Sequence, residues 1–456
     1  MRKSLLFLTV AVATVVGAAA GPAAGQLVSV VPLEQENVEH VTNRSGMTGG
    51  HIDLQPTRPR AEDRLGPDRL YVGAYGLGFR IFDVSTPDDP VLMGQYTPGL
   101  RADAVPQGTI MGERHIAVLQ GTRRVTNPAA IRTDRTEFID VTNPQQPRVL
   151  WTFIGQDDGE AHMGKVFDQR SWWIPTGGTG DNGLRIYDMR PILKEPPQAP
   201  ERLFPPDECR ASADVRCDPV ALWESSPYRD DDEPVGHGFT HSHEVTVYPN
   251  YPVRQPDGSY ARRTILLMAE GGNYLNDAGE TGSLFIIDIT DPRNPVVLER
   301  WIHEGGEGHH PIRYYHEAQF LDSDRRTMLL TDEDLHSGCG EGGSGVYALR
   351  VSEDLTELQE LSEWFIPPGT PAPVCAPHVF DSERNLVFFG SYTAGLQVVD
   401  YADPSNPERV GSYIPEGSNA WGAIFWKDVI YVGEMGPRGL DVYEYTGPTN
   451  TRLSRR

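Results

Sequence analysis

Residues 78–90 read Gly-Phe-Arg-Ile-Phe-Asp-Val-Ser-Thr-Pro-Asp-Asp-Pro, and this pattern decides the fold because it recurs along the chain. Most copies begin with a glycine and continue into an apolar run, and the stronger ones end in Asp or Asn with two prolines. The strong copies are LFIIDITDPRNP at residues 284–295, GLQVVDYADPSNP at 395–407 and EFIDVTNPQQP at 137–147; the weaker ones are GLRIYD at 183–188, GVYALR at 345–350 and GLDVYE at 439–444. Seven copies indicate a repeat architecture, in which each unit buries its faces against its neighbours.

Each copy has the composition of a β-strand that is covered on both faces. Its apolar run is rich in β-branched and aromatic residues and shows little polar alternation. The prolines that follow end the strand in a tight turn, because proline fixes φ and cannot donate to a ladder. Another apolar strand follows the turn, as at residues 91–96, and two more precede each copy. Four short strands per repeat, with Gly and Pro turns, predict the blade of a β-propeller.

The glycine, the apolar strand, the Asp-Val or Asp-Ile pair and the Asp-Pro-x-Asn-Pro turn resemble the repeat of the LVIVD family of bacterial exported propellers. The resemblance implies an all-β fold, a seven-bladed β-propeller of four-stranded blades. It implies no single activity, because the family is defined by its repeat and a fold does not specify a chemistry.

The N-terminus has the pattern of a secretory signal peptide, which we assign to residues 1–25. Arg2 and Lys3 precede an apolar run at residues 5–16, and small residues follow. No cysteine follows the run to accept a lipid, and no later segment reaches the ~20 apolar residues of a membrane-spanning helix. We therefore expect a secreted or periplasmic protein, without membrane insertion after signal cleavage.

We predict one propeller domain at residues 26–446 and a flexible tail at 447–456. The last copy ends before a fourth strand can form, and Leu27–Leu33 resembles the missing strand, so we expect an N-terminal strand to close the ring. The interval between Asp188 and Asp288 is unusually long and rich in Pro and Asp. It predicts an insertion at about residues 190–236, with an undetected eighth blade as the alternative.

The formal net charge of −24 excludes one class of partner. A protein with this much negative charge repels phosphate backbones and anionic membrane surfaces. We therefore expect no nucleic-acid partner. We expect a monomer that binds a small molecule, a glycan or a protein, and the charge does not choose among these.

The four cysteines predict structural disulfides. An even number in an oxidising compartment suggests two bonds, with three possible connectivities. Proximity in sequence favours Cys209–Cys217 and leaves Cys339–Cys375. The spacings match neither a metal-binding nor a redox Cys-x-x-Cys motif.

Histidine recurs where the first strand of a repeat begins. In a propeller this strand borders the central channel, so imidazoles at equivalent positions converge and suit zinc, copper or iron. Carboxylates beside them are expected to orient the ligands or to line the rim. The candidate metal ligands are His162, His241, His243, His316 and His378, and the supporting carboxylates are Glu244, Glu317, Glu270, Asp332 and Glu333.

A repeated histidine is also expected from a purely structural role, since WD40 propellers use one histidine per blade to hydrogen-bond turns. Three functions therefore stay open: an exported binding protein with a His-rich metal site at the channel and catalysis undecided, a metal-dependent extracellular enzyme of hydrolytic or oxidative type, and a metal-free surface interaction scaffold. No catalytic residue is assigned, because the sequence has no Gly-x-Ser-x-Gly elbow and no assignable Ser–His–Asp set.

Overall fold

A computed structural model describes most of the chain. The described residues are 31–44, 50–55, 67–74, 77–98, 104–121, 135–154, 163–167, 170–176, 184–204, 242–271, 282–303, 314–335 and 338–448. Within them the chain forms strands β1–β29 and one 3-10 helix, Arg190–Leu193. The strands make seven antiparallel sheets, and this seven-bladed, all-β arrangement confirms the predicted propeller. Among these residues, no helix is long and apolar enough to cross a bilayer.

The first five blades each consist of four consecutive strands, counted from the first strand outward. Blade 1 is β3 (Ile52–Gln55), β4 (Arg69–Ala74), β5 (Gly78–Asp83) and β6 (Val91–Tyr96). Blade 2 is β7 (Val105–Met111), β8 (Arg114–Gln120), β9 (Arg135–Asp140) and β10 (Arg148–Ile154). Blade 3 is β11 (Met163–Phe167), β12 (Trp172–Thr176), β13 (Ile186–Asp188) and β14 (Glu201–Phe204). Blade 4 is β15 (Ser242–Arg254), β16 (Tyr260–Glu270), β17 (Leu284–Asp288) and β18 (Val296–Trp301). Blade 5 is β19 (Tyr315–Leu321), β20 (Asp324–Asp332), β21 (Gly345–Val351) and β22 (Leu358–Phe365).

The last two blades take strands from both ends of the described chain. Blade 6 is β23 (Phe380–Glu383), β24 (Leu386–Gly390), β25 (Leu396–Asp400), β26 (Glu408–Pro415) and, outermost, β1 (Pro32–Glu36). Blade 7 is β27 (Ala420–Trp426), β28 (Val429–Glu434), β29 (Gly439–Tyr445) and, outermost, β2 (Val38–Arg44). The ring is therefore closed by an N-terminal strand, as predicted.

The segment that closes the ring differs from the one predicted. Val38–Arg44 pairs with β29, whereas Pro32 and Leu33, the described part of the predicted segment, belong to β1 on the edge of blade 6. The residues before Val31 lie outside the described residues. Val38 is buried, and the Asn43 amide donates to the Asp441 carboxylate at 2.7 Å, whereas Leu33 is exposed. The prediction that Leu27–Leu33 closes the ring was wrong. That segment was chosen for its apolar residues, whereas the strand that pairs with β29 is the more polar Val38–Arg44.

Apolar strands hold the blades together around the ring. The second and third strands are the most buried, and β4, for example, is buried along its whole length. First strands of neighbouring blades contact one another, so they line the central channel. Blades 6 and 7 approach closely at Gly390, where a Cβ atom would lie 2.6 Å from the backbone nitrogen of Gly422. This contact packs the end of β24, the second strand of blade 6, against blade 7.

Three other predicted segments lie wholly or partly outside the described residues. The signal peptide at 1–25 lies outside them, as do residues 449–456 of the predicted tail. Within the predicted insertion, residues 201–204 form β14 of blade 3, and residues 205–236 lie outside the described residues. The bounds of the domain, the insertion and the tail therefore stay predictions.

A disulfide links the loop before β21 to the segment before β23. Cys339 and Cys375 are bonded, with their Cα atoms 5.1 Å apart, as the sequence predicted. Cys209 and Cys217 lie outside the described residues, so their pairing stays a prediction. Because Cys375 stands three residues before His378, the disulfide ties down the chain that enters the candidate site.

Replacing both bonded cysteines, as Cys339→Ala with Cys375→Ala, is expected to lower the free energy of unfolding by about 2–4 kcal/mol. The reason is that the bond closes a loop of 36 residues and so restricts the unfolded chain. Denaturant unfolding of the exported double variant and of the wild type measures the difference. Equal midpoints and slopes would contradict the prediction.

Candidate metal centre

The three described candidate histidines stand where the first strands of blades 4, 5 and 6 begin. His243 and His316 are the second residues of β15 and β19, and His378 lies two residues before β23. All three side chains are buried. His162 and His241 lie outside the described residues, so their role as ligands stays a prediction.

The arrangement of the blades brings these imidazoles close together, with their rings tilted by 51° and 40°. The ring centroids of His243 and His316 are 4.3 Å apart, and those of His316 and His378 are 3.8 Å apart. Each histidine occupies an equivalent position on its own blade, so neighbouring blades place neighbouring rings together. The convergence predicted from the repeat is present for these three residues.

Glu333 is the carboxylate that faces all three rings. It follows β20 in blade 5, and its Oε2 atom lies 3.7 Å from Nε2 of His243 and 3.8 Å from Nε2 of His316. Its other oxygen, Oε1, lies 3.4 Å from Nε2 of His378. The sequence analysis predicted that Glu333 would support the ligands or line the channel rim. In the structure it lies among the three imidazoles.

His243, His316 and Glu333 have the spacing of a metal-binding group. One potential ligand atom from each lies within 4.8 Å of the other two. In a tetrahedral site with bonds of about 2.1 Å, ligand atoms are separated by about 3.4 Å, so the carboxylate–imidazole distances need only a small contraction. Two imidazoles and one carboxylate leave at least one coordination position open.

His378 is oriented by blade 7. Its Nδ1 lies 2.5 Å from the carbonyl oxygen of Trp421, and its ring stacks on the Trp421 indole at 5.6 Å. Because a carbonyl oxygen only accepts, Nδ1 must carry a proton, and this bond turns Nε2 toward Glu333. A hydrogen bond of this kind is what orients an imidazole beside a metal.

Tyr392 and Trp421 hold the Glu333 carboxylate in place, and sequence reasoning did not select either. The Tyr392 hydroxyl donates to Oε1 of Glu333, and Nε1 of Trp421 donates to the Tyr392 oxygen at 3.1 Å. Tyr392 has a φ of +47°, a left-handed conformation that is costly for a bulky residue. Trp421 stands where blade 7 lacks the repeated histidine, and that substitution was the one available signal.

The electrostatics of the cluster favour an ionised carboxylate. Burial alone raises the pKa of Glu333, but the His378 and His243 imidazoles and the hydrogen bonds from His378 and Tyr392 outweigh it. The net effect lowers the pKa of Glu333 to about 2. A negative charge is therefore held among imidazoles, which is the arrangement that attracts a cation.

The other predicted carboxylates do not join the group. Glu244 and Glu317 directly follow histidines, so on a strand they project from the opposite face. Glu317 accepts hydrogen bonds from the Phe380 backbone at 3.0 Å and from Gln319 at 2.8 Å. Asp332 accepts from the Tyr314 backbone at 3.0 Å, and Glu270 is buried at the end of β16 in blade 4.

Another strand-opening histidine makes a hydrogen bond between two blades. His51, just before β3 in blade 1, has its Nε2 atom 3.0 Å from the side-chain nitrogen of Gln107 in blade 2. It is far along the ring from Glu333 and belongs to no metal-binding group among the described residues. The repeat therefore accounts for histidines at the strand openings of several blades. His243, His316 and His378 differ from His51 because they face the Glu333 carboxylate.

Seven antiparallel blades around a channel define a β-propeller protein, and its repeat can be compared with known families. The model of the LVIVD repeat matches residues 68–98, 271–301 and 386–414, within blades 1, 4 and 6. The chain therefore carries LVIVD repeats, which confirms the resemblance seen in the sequence. No curated protein matches the chain.

Solved structures are similar to this chain at low sequence identity. Raptor from Chaetomium thermophilum is 9% identical, with a TM-score of 0.51 over 93% of this chain and 30% of the Raptor chain. The chain thus spans about a third of that protein. The WD40 repeats of RRP9 are 10% identical, with a TM-score of 0.47 over 89% of this chain and 97% of that one. Sqt1 from Saccharomyces cerevisiae is 8% identical, with a TM-score of 0.46 over 86% and 81%. At 9% identity the likeness to Raptor concerns the fold alone.

Proposed function

We propose that this protein is an exported binding protein that holds one transition metal ion with His243, His316 and Glu333. The observation that carries the proposal is the position of one carboxylate, Glu333, within 3.8 Å of three imidazoles from three blades. A structural role for the repeat would account for histidines at equivalent positions of several blades, but it would not account for a carboxylate shared among them.

The donor set restricts the metal by its chemistry. Two imidazoles and one carboxylate are the ligands of hydrolytic zinc sites and of non-haem iron(II) sites, and imidazole also binds copper. Zinc and iron fit the carboxylate best, and copper is the third candidate. The open position is where a water molecule or a substrate would bind. This feature favours the alternative of a metal-dependent extracellular enzyme, hydrolytic or oxidative, as the second candidate function.

Export and partners complete the proposal. The basic start and apolar run in residues 1–25 support a secreted or periplasmic location, and the disulfide between Cys339 and Cys375 is compatible with an oxidising compartment. We expect a monomer whose partner is a small molecule, a glycan or a protein. The net charge of −24 supports a protein without nucleic-acid partners.

Elemental analysis of untagged protein, exported in metal-replete medium, tests the proposal. We expect about one transition metal ion per wild-type chain, and a strong loss of metal in His243→Ala and in His316→Ala, since each variant removes one of three ligands. Acidification toward pH 5 should release the ion, because a protonated imidazole cannot bind a metal.

The matched control is His51→Ala, which removes a buried histidine at the equivalent position of blade 1. This variant should keep its metal. If the wild-type protein is metal-free after metal-replete export, or if all three variants retain the ion equally, the proposed site is wrong and the metal-free scaffold is the remaining function.

A further inference from the structure

The central channel holds a second candidate site, separate from the histidine cluster. A cavity of about 400 Å³ is lined by the first strands of blades 1, 3, 5, 6 and 7. It starts beside Glu317 and Val379, the residues that follow His316 and His378, and reaches the turn at Lys427. This volume is within the range of small-molecule pockets.

Lys165 of blade 3 projects an ammonium group into this cavity. The group forms no hydrogen bond or ion pair with any part of the chain that the structure describes, and it keeps some accessible surface. An ammonium has three donors, and leaving all of them unfilled inside a protein is costly unless water or a ligand accepts them. Lys165 is therefore an available donor within the channel.

Carboxylates surround Lys165 at longer range. Burial lowers the pKa of Lys165, but the negative charges of Glu244, Glu317, Asp53 and Asp381 outweigh this, and the net shift is upward. The ammonium is thus protonated at neutral pH. It balances part of the negative charge in the channel without direct contact to any of these groups.

Three of these carboxylates already have a fixed structural role. Asp53, Glu317 and Asp381 each accept a backbone N–H from the next blade, at 2.7, 3.0 and 3.0 Å. These bonds hold the carboxylates in place, and each oxygen has a second lone pair that can accept another donor. Burial also raises the pKa of Asp381 to about 6, which reduces its demand for a cationic partner.

Neutral polar groups complete the lining of the cavity. The Gln319 amide nitrogen donates to Glu317 and to the Phe380 carbonyl, so its amide oxygen stays available as an acceptor. The Ser382 hydroxyl accepts from the Asp322 backbone at 3.2 Å and keeps its proton for donation. Ile52, Val379 and Phe425 supply apolar surface between these groups.

We propose that the channel binds a neutral polyhydroxylated ligand, a small sugar, whose hydroxyls accept from Lys165 and donate to the carboxylates. A hydroxyl group both donates and accepts, and so matches a lining that presents one free ammonium beside fixed carboxylates. An anion would meet the Asp53, Glu317 and Asp381 carboxylates that line the cavity, and an organic cation would meet the Lys165 ammonium. The proposal does not depend on a metal at Glu333.

Calorimetric titration of the full, metal-loaded protein tests this assignment. The probes are D-glucose, D-galactose and D-mannose, with putrescine, glycine and acetate as charged probes. We expect saturable one-to-one binding of at least one sugar, and at least about tenfold weaker binding by Lys165→Met, since a hydrogen bond to a charged group is lost. The exposed Lys194→Met, outside the cavity, should bind like the wild type.

A second variant, Ile424→Trp, fills the cavity without changing its charge and should also weaken binding. Metal content should be unchanged in Lys165→Met, so failure of this proposal is distinguishable from failure of the metal site. The proposal is overturned if no sugar binds, if only a charged probe binds, or if folded Lys165→Met and Ile424→Trp bind the sugar as the wild type does.

Discussion

Deleting residues 27–44 is expected to abolish the folded protein, whereas deleting only residues 27–36 is expected to leave it folded. The longer deletion removes β2, the outer strand of blade 7, and uncovers the edge of β29. An uncovered edge both loses its ladder and becomes a template for aggregation. The shorter deletion removes only β1, which adds a fifth strand to a blade that already has four.

The magnitudes separate the two deletions. Loss of β2 exposes the apolar contacts of Val38, worth about 1.5–3 kcal/mol. It also removes two partners of the buried Asp441, His40 at 3.0 Å and Asn43 at 2.7 Å, while Arg438 remains; each lost hydrogen bond to a charged group costs about 1.5–3 kcal/mol. With the lost ladder, the sum approaches the whole stability of a typical domain, about 5–15 kcal/mol.

Loss of β1 is much less costly. Its side chains are half-buried or exposed, and its main polar contacts are those of Glu34 with Arg409 at 2.7 Å and Ser412 at 2.8 Å. Exposed or partly exposed pairs contribute about 0–1 kcal/mol each. Soluble yield and thermal unfolding of the two exported truncations measure the contrast. Similar losses in both truncations would show that β2 is not the strand that closes the ring.

The same comparison shows what the sequence predicts about this fold. The seven copies of the repeat predict the blades, because each apolar run has to be covered on both faces. They do not identify the closing strand, because Leu27–Leu33 is more apolar than Val38–Arg44. Val38–Arg44 instead pairs with β29 through its backbone, buries Val38 and joins Asn43 to Asp441, a long-range pairing that no local pattern predicts.

The candidate site was predictable to the same extent. Periodic histidines predict convergence around the channel, and His243, His316 and His378 do converge. Glu317 directly follows His316 in the sequence, but adjacent residues on a strand face opposite ways. Glu317 therefore lines the channel cavity and does not join the histidine cluster. Glu333 comes from the end of a second strand, and its approach to three rings depends on how blades 4, 5 and 6 are arranged around the ring.

Glu333→Gln is expected to have the largest effect on metal content, from about one ion per chain to less than a tenth. The amide oxygen is a much weaker ligand for zinc or iron than a carboxylate, and the charge that attracts the ion is lost. The matched control is Glu270→Gln, which removes a buried carboxylate at the corresponding strand end of blade 4. The control should retain its metal.

The metal-free form of Glu333→Gln carries a second, independent signature in its pH dependence. The pKa of Glu333 is lowered from 4.5 to about 2 in the folded protein, so the ionised carboxylate stabilises the fold above about pH 4.5. That contribution, about 3 kcal/mol, is lost as the pH falls from 4.5 toward 2. Chelator-treated wild type should therefore exceed the variant in free energy of unfolding near pH 5, and the difference should shrink by pH 3. A constant difference across this range would show that the imidazoles do not hold the carboxylate in its ionised form, and the electrostatic basis of the metal site would be lost.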